Sequence, residues 1–348
     1  MSLSIFIYNE GDEQLNTNIN IIDVSIYYPE NKVNKDYFIQ KFDKQGIDIR
    51  GLLKCLGRDN IRIIKNNEET VITMAVNVGK RALKSANLNP EDIDMLIVTT
   101  DNPEYFAPSN ALIINNKLGL VNANLTFDLN NNCISMLTAM DIATGIMKQR
   151  KEVKRAMIIG MQGISYFTRE EDPVITPGGG DCAASIILEK EECVDISGVI
   201  DSVYLTNSRN QENMRLPGCG MSKVASGNVL TEDVKLRFIP HDVSYFSDEW
   251  TKMIKDILKR NNLSIKDVKH YLFSQFSLKD IKETLIKLGD DEEKYTFVSH
   301  KYGYTGCCSP IFALHEALEK GKVEKNSYVI FCSVGIGYSM AAILYKWL

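Results

Sequence analysis

Phe127-Asp128-Leu129-Asn130-Asn131-Asn132-Cys133-Ile134-Ser135-Met136 decides how the rest of the chain is read. A strand-like run over 124–129 ends in three asparagines, a turn signal. After it comes a segment without proline, with Ile134, Leu137, Ile142 and Ile146 at helical spacing. Lys148, Arg150 and Lys151 close that segment, where a helix C-terminus accommodates cations. The spacing therefore predicts a strand-to-helix turn with Cys133 on the first turn of a buried helix. Backbone N–H groups and the helix dipole there favour a thiolate nucleophile. A small buried core cysteine is the other reading of the same pattern.

The 348 residues suffice for one large domain or two fused ones. With 44% hydrophobic and 24% charged residues, the composition is that of a soluble globular protein. A net charge of −5 gives no electrostatic footprint for nucleic acid. No apolar run is long enough to span a membrane, and Met1–Asn9 does not read as a secretory signal. Eight cysteines without a C-x-x-C pair fit a reduced, cytoplasmic protein without structural zinc. His241, His270, His300 and His315 are not spaced as metal ligands.

A strand is expected over 20–28, a helix over 70–86 and a strand over 95–99. The helix–turn–strand unit then recurs: Asn87-Leu88-Asn89 and Asp92 are echoed by Asn262-Leu263-Ser264 and Asp267, 175 residues on. The Cys133 helix has a counterpart at 309–321, the strand 156–160 one at 328–333, and the strand 183–188 one at 340–345. Several echoes in one order argue for a duplicated α/β unit. Residues 1–190 form the first half, with the cysteine, and 191–348 the second. Two equivalent buried helices at a pseudo-twofold axis place Cys133 centrally, at the carboxyl ends of strands, where pockets form. Pro177-Gly178-Gly179-Gly180-Asp181 precedes a strand, so it reads as a turn supporting the cysteine rather than a phosphate loop.

Several motifs in order resemble the β-ketoacyl-acyl-carrier-protein synthase III family of the thiolase-like superfamily: Phe106-Ala107-Pro108-Ser109, the Cys133 turn, Gly180-Asp181-Cys182-Ala183, Tyr302-Gly303-Tyr304-Thr305 and Val334-Gly335-Ile336-Gly337. The resemblance implies a five-layer α-β-α-β-α fold and a homodimer. It implies acyl transfer to Cys133 from coenzyme A or an acyl carrier protein, whose phosphopantetheine is part of the substrate, with no separate cofactor or metal. The oxyanion would be held by the backbone N–H groups of Cys133 and Ile336, an isoleucine that would be strained if its φ were positive. Phe276, Ser277, Gly335 and Gly337 would line the substrate.

The pattern departs where the family implies a histidine and an asparagine for decarboxylative condensation. Ser274 and Tyr304 stand there. Serine cannot act as a general base near neutral pH; Tyr304 can donate to an oxyanion or fill the pocket. His300 is a substitute base only if it reaches inward. The arginine expected just before Gly57-Arg58 falls on Cys55, and the pantetheine-lining stretch is not recognisable in 237–243, both weakening the expected grip on coenzyme A. Lys252, Lys255, Lys259, Arg260, Lys279, Lys282 and Lys287 face either an acidic carrier or solvent. Three functions follow: an acyltransferase with poor decarboxylation, serving fatty-acid or secondary metabolism; a non-catalytic partner of a complete paralogue in a heterodimer; or ordinary condensation with His300 or a water replacing the missing histidine.

Overall fold

The computed structural model describes residues 15–66 and 68–348; the expectation for Met1–Asn9 lies outside them. The main strands are β1 (Asn16–Tyr27), β2 (Met95–Thr99), β3 (Leu125–Leu129), β4 (Arg155–Gln162), β5 (Cys182–Cys193), β6 (Gly198–Thr206), β7 (Val268–Phe273), β8 (Tyr328–Gly335) and β9 (Ser339–Lys346). The longer helices are α1 (Val71–Ser85), α2 (Asn110–Leu118), α3 (Ser135–Gln149), α4 (Phe246–Arg260), α5 (Leu278–Leu288) and α6 (Ser309–Glu319).

The strand order is β7-β8-β9-β6-β1-β5-β4-β2-β3. One parallel pairing, Ile19 with Gly198, joins β1 to β6. On either side of that seam the pairing rule is the same. β2 is parallel to β4 as β7 is to β8. β4 is antiparallel to β5 as β8 is to β9. β5 is antiparallel to β1 as β9 is to β6.

Even the turns repeat. Asn87 and Asn262 both take φ of 54°, a left-handed conformation that asparagine tolerates better than most residues. Asp92 accepts the Asn89 N–H at 2.7 Å, and Asp267 accepts that of Ser264 at 2.6 Å. The duplication is therefore one of backbone conformation as well as of sequence.

Three apolar clusters make the layers. α1 and α2 cover one face of the first sheet, with Met74, Val78, Ala111 and Ile114 against Leu96, Val98 and Ile159. α4 and α5 cover the far face of the second, with Trp250, Ile254 and Ile281 against Phe273, Ile330 and Leu344. α3 and α6 fill the space between, where Met136, Met140, Ile311 and Leu314 meet Ile97, Ile158, Phe331 and Ile343. The result is a thiolase-like five-layer α-β-α-β-α fold. β2 is buried at all five positions, as a strand covered on both faces must be.

The inward face of α3 differs from the one the periodicity suggested. Met136, Met140, Ala143 and Met147 are buried, whereas Ile142 is exposed and Ile146 is only partly buried. Branched residues drew the eye, but the flexible methionines fill the irregular space between two sheets.

Candidate active site

The three asparagines make the turn by local hydrogen bonding. Asn130 Oδ1 accepts the Asn132 N–H at 2.9 Å, and Asn132 takes a left-handed φ of 52°. Ser135 Oγ donates to the Asn132 carbonyl at 2.6 Å and accepts the Asn131 N–H at 2.7 Å, closing the turn onto α3. Cys133 consequently sits two residues ahead of the helix rather than within its first turn. Asp128 secures the strand below, accepting the N–H groups of Asn110 and Ala111 at the start of α2, where a carboxylate complements the helix dipole.

The loop after β8 closes over this turn. A Cβ on Gly335 would lie 3.3 Å from the Cys133 nitrogen. Asn132 Nδ2 donates to the Ile336 carbonyl at 3.1 Å, and Ser333 Oγ donates to the Cys133 carbonyl at 3.3 Å. The Ile336 N–H donates to the Cys133 sulfur. Positive φ falls on Gly337, at 109°, and Ile336 is spared; the feared strain at isoleucine is absent because the neighbouring glycine takes the turn.

Tyr304 reaches Cys133 from the second half, and its hydroxyl hydrogen-bonds the thiol sulfur. Its oxygen is 3.4 Å from Ser274 Oγ, and its ring meets Phe276 edge-on with centroids 5.7 Å apart. The glycine run holds the tyrosine backbone: Tyr304 N–H donates to Gly178 O at 2.8 Å and Gly180 N–H to Tyr304 O at 3.0 Å. Gln162 Nε2 donates to that same carbonyl at 2.9 Å and to Gly180 O at 2.7 Å. Glycine is required at 180, since a Cβ would stand 2.0 Å from Tyr302 O. The run thus braces the wall opposite Cys133.

Arg58 lies behind this wall, 3% exposed. Its guanidinium donates to the carbonyls of Leu56 (2.7 Å), Gly178 (3.2 Å), Gln275 (3.2 Å) and Phe276 (2.7 Å). Burial without a carboxylate partner pulls its pKa down to about 9. One side chain therefore ties the glycine run to the strand end that carries Ser274.

Electrostatically the site is unlike the one expected from the turn alone. Cys133 is 6% exposed, and burial pushes its thiol pKa well up. The negative charge of Asp101 pushes it further, while hydrogen bonds from Tyr304 and the Ile336 N–H oppose the rise. Desolvation outweighs the helix terminus, so the resting sulfur is a thiol. Tyr304 is likewise raised, first by burial and then by Cys133.

Asp101 escaped the sequence reading. It follows β2, parallel to the cysteine-bearing β3, with Thr99 beside Leu129 in the register. The Thr99 hydroxyl is 3.6 Å from Cys307 Sγ. Asn102 donates to Asp101 Oδ1 at 2.6 Å and accepts the Gly163 N–H at 2.8 Å, fixing the carboxylate beside the end of β4. Cys133, Tyr304 and Cys307 all feel its charge, and burial raises its own pKa. The readable signal was an acidic residue just past a parallel strand, at the sheet edge where such folds bind ligands.

Other candidates fall elsewhere. His300 stacks on Phe297 with centroids 6.0 Å apart. Ser277 caps α5, accepting the Asp280 N–H at 3.3 Å. Gln275, beside Ser274, is locked by the Phe273 and Thr296 carbonyls and the Val298 N–H.

Residues 127–208 match the family 3-oxoacyl-[acyl-carrier-protein (ACP)] synthase III, and residues 258–347 match its C-terminal part. A β-ketoacyl-[acyl-carrier-protein] synthase III of Clostridium botulinum is 27% identical over 338 residues, covering 95% of this chain and 99% of that protein. The Clostridium tetani protein of the same name is 28% identical over 303 residues, covering 84% and 88%. Among solved structures, the 3-oxoacyl-[acyl-carrier-protein] synthase III of Aquifex aeolicus superposes with a TM-score of 0.80 at 24% identity, over 95% of this chain and all of that one. No helix among the described residues is long and apolar enough to cross a membrane. On the matched sequences and the shared fold together, the chain is similar to the 3-oxoacyl-acyl-carrier-protein synthase III family and has the thiolase-like fold.

Proposed function

We propose that the chain is an acyltransferase that loads an acyl group onto Cys133 from an acyl-coenzyme A or acyl-carrier thioester and decarboxylates malonyl thioesters poorly. The observation that carries this reading is the placement of Ser274 and Tyr304 against a preserved nucleophile turn. In the first step the Cys133 thiol gives its proton to Asp101, directly or through water. The sulfur attacks the thioester carbonyl carbon, and the oxygen takes the electron pair, held by the N–H groups of Ile336 and Cys133. Collapse breaks the donor's C–S bond, and the leaving thiolate recovers the proton from Asp101. An alcohol, amine or water then accepts the acyl group.

Ser274 and Tyr304 both carry hydroxyl donors, but neither moves a proton near neutral pH as a histidine does, and the Tyr304 hydroxyl is already engaged with Ser274. A homodimer is part of the reading: among the described residues β3 pairs only with β2, and Tyr105, Phe106, Leu112 and Val121 are exposed nearby, between 52% and 74%. The raised Cys133 thiol favours the second reading, a non-catalytic partner of a complete paralogue.

Intact-protein mass spectrometry after incubation with acyl-coenzyme A and acyl-carrier donors, beside Cys133→Ala, separates the two. A covalent adduct on the wild type alone supports the acyltransferase. No adduct from any donor supports the partner. Ser274→His combined with Tyr304→Asn is expected to gain release of carbon dioxide from malonyl carrier, about 10²-fold or more if proton transfer and oxyanion support are restored. Efficient release by the wild type would refute the decarboxylation part.

A further inference from the structure

Loading of Cys133 has Asp101 as its proton acceptor; the molecule that later takes the acyl group has had none so far. The four histidines differ in what their rings meet. His270 is 2% exposed and hydrogen-bonded to Thr296 Oγ1 at 2.8 Å. His300 stacks on Phe297, and His315 Nδ1 lies 3.7 Å from the Glu319 carboxylate. His241, ahead of α4, meets a phenol: its Nε2 is hydrogen-bonded to the Tyr338 hydroxyl. Its Nδ1 is 2.6 Å from the Ile239 carbonyl oxygen. A carbonyl only accepts, so Nδ1 carries the hydrogen. Nε2 of the neutral ring is then the acceptor, and the Tyr338 hydroxyl donates to it. A group that fixes the tautomer, an imidazole and a hydroxyl in succession is the arrangement that activates a hydroxyl.

Tyr338 belongs to the loop that closes over the nucleophile. It lies two residues beyond Ile336, whose N–H donates to the Cys133 sulfur, and directly precedes β9. Its main chain is clamped to Asn207: its N–H donates to Asn207 O at 3.0 Å, and its carbonyl accepts the Asn207 N–H at 2.8 Å. Its ring centroid is 5.0 Å from that of Phe246 and 6.1 Å from that of Tyr245. Phe246 meets Phe276 at 6.2 Å, and Phe276 meets Tyr304, whose hydroxyl is on the Cys133 sulfur. One aromatic wall thus runs from Cys133 to the Tyr338–His241 pair. Both members of the pair are half-buried, so a small molecule from solvent can reach them. Asp242, held below the usual carboxylate range by its Ser244 hydrogen bonds and then by His241, sets a negative charge beside the imidazole.

We propose that Tyr338 and His241 form a proton relay that activates a hydroxyl acceptor, an alcohol or water, for attack on the Cys133 thioester. The inference rests on the acyl transfer proposed above and names its acceptor class. An amine attacks as its free base, whereas a hydroxyl needs a base during the attack itself. The acceptor O–H gives its proton to Tyr338 Oη as Tyr338 gives its own to His241 Nε2. The acceptor oxygen bonds the acyl carbon, and the carbonyl oxygen takes the electron pair, held by the N–H groups of Ile336 and Cys133. Collapse breaks the acyl C–S bond. The proton on His241 returns through Tyr338 to the Cys133 sulfur, directly or through water, leaving an ester or acid and a free thiol.

The test separates loading from discharge. Cys133 is loaded with acetyl from p-nitrophenyl acetate, excess reagent is removed, and loss of the acetyl mass is followed in buffer and in buffer with ethanol. His241→Gln and Tyr338→Phe are each expected to load as the wild type does and to lose acetyl about 10²-fold more slowly in both media. Methoxyamine, a free base near neutral pH, should discharge the wild type and both variants alike. Tyr338→Phe keeps the ring packing, so it decides the matter should His241→Gln melt lower. Unchanged loss in Tyr338→Phe, or an equal slowing toward methoxyamine, overturns the inference. If no donor acylates Cys133, p-nitrophenyl acetate included, the acyltransferase reading fails and the relay is judged by itself. Phenylmethanesulfonyl fluoride should then label Tyr338 at least about ten-fold faster in Cys133→Ala than in Cys133→Ala/His241→Gln. Faster labelling sustains the relay; equal labelling overturns it.

Discussion

Asp101 and Tyr304 pull the Cys133 thiol in opposite directions. Asp101 adds negative charge and raises its pKa; the Tyr304 hydroxyl donates to the sulfur and lowers it. Asp101→Asn should therefore make the thiol more acidic and speed its alkylation by iodoacetamide near neutral pH, about three- to ten-fold. If Asp101 also accepts the thiol proton during acylation, the same variant should load acyl groups more slowly, by about 10². Faster alkylation with slower loading is the signature expected; a rise in both would leave Asp101 as a bystander charge. Tyr304→Phe should slow alkylation, since the sulfur loses a donor and keeps its burial.

At the level of elements, Arg58 links a loop of the first half to the end of β7 in the second through four carbonyls. Arg58→Lys keeps the charge but gives up the planar fork, and three donors cannot reach four acceptors in that geometry. Its cost should be about 2–4 kcal/mol, read as a lower urea midpoint at unchanged slope. The sequence showed the cysteine turn and the helix–turn–strand repeat because both are local: asparagines, caps and spacing lie within a few residues. It did not show Asp101 or Arg58. Their neighbours are 32, 120 and 217 residues away in the chain, supplied by parallel strand register and loop packing. Nor could the sequence say which residue of Gly335-Ile336-Gly337 turns left-handed; the structure puts the positive φ on Gly337.

The whole molecule buries Cys133, Cys182, Cys307, Cys308 and Cys332 as thiols, and burial raises the pKa of four of them first and foremost, while for Cys307 the hydrogen bond with Cys308 leads. Each is protonated in the folded chain at pH values where the unfolded chain, with thiols near about 8.5, has begun to ionise. Their contribution to stability is complete below that value and is lost as pH rises through the folded pKa. Urea midpoints should therefore be flat from about pH 7 to 8 and fall progressively above about 8.5. Helices packed between or against sheets were legible from the repeated α/β order, and the five layers from the family resemblance. The seam between the sheets was not, because a single pairing between Ile19 and Gly198 leaves no pattern in either strand.

The central pair of helices bears on where such a chain comes from. α6 is buried at eight of its positions and α3 at eight, with one sheet on each side of the pair. A half-length ancestor would have owned one sheet and one such helix, whose outer face had nothing to cover it but the same face of a second copy. Such a peptide is insoluble alone and complete as a pair. Joining two such units in one chain makes that partnership permanent: the first carries Cys133, and the second brings Ser274 and Tyr304 to it.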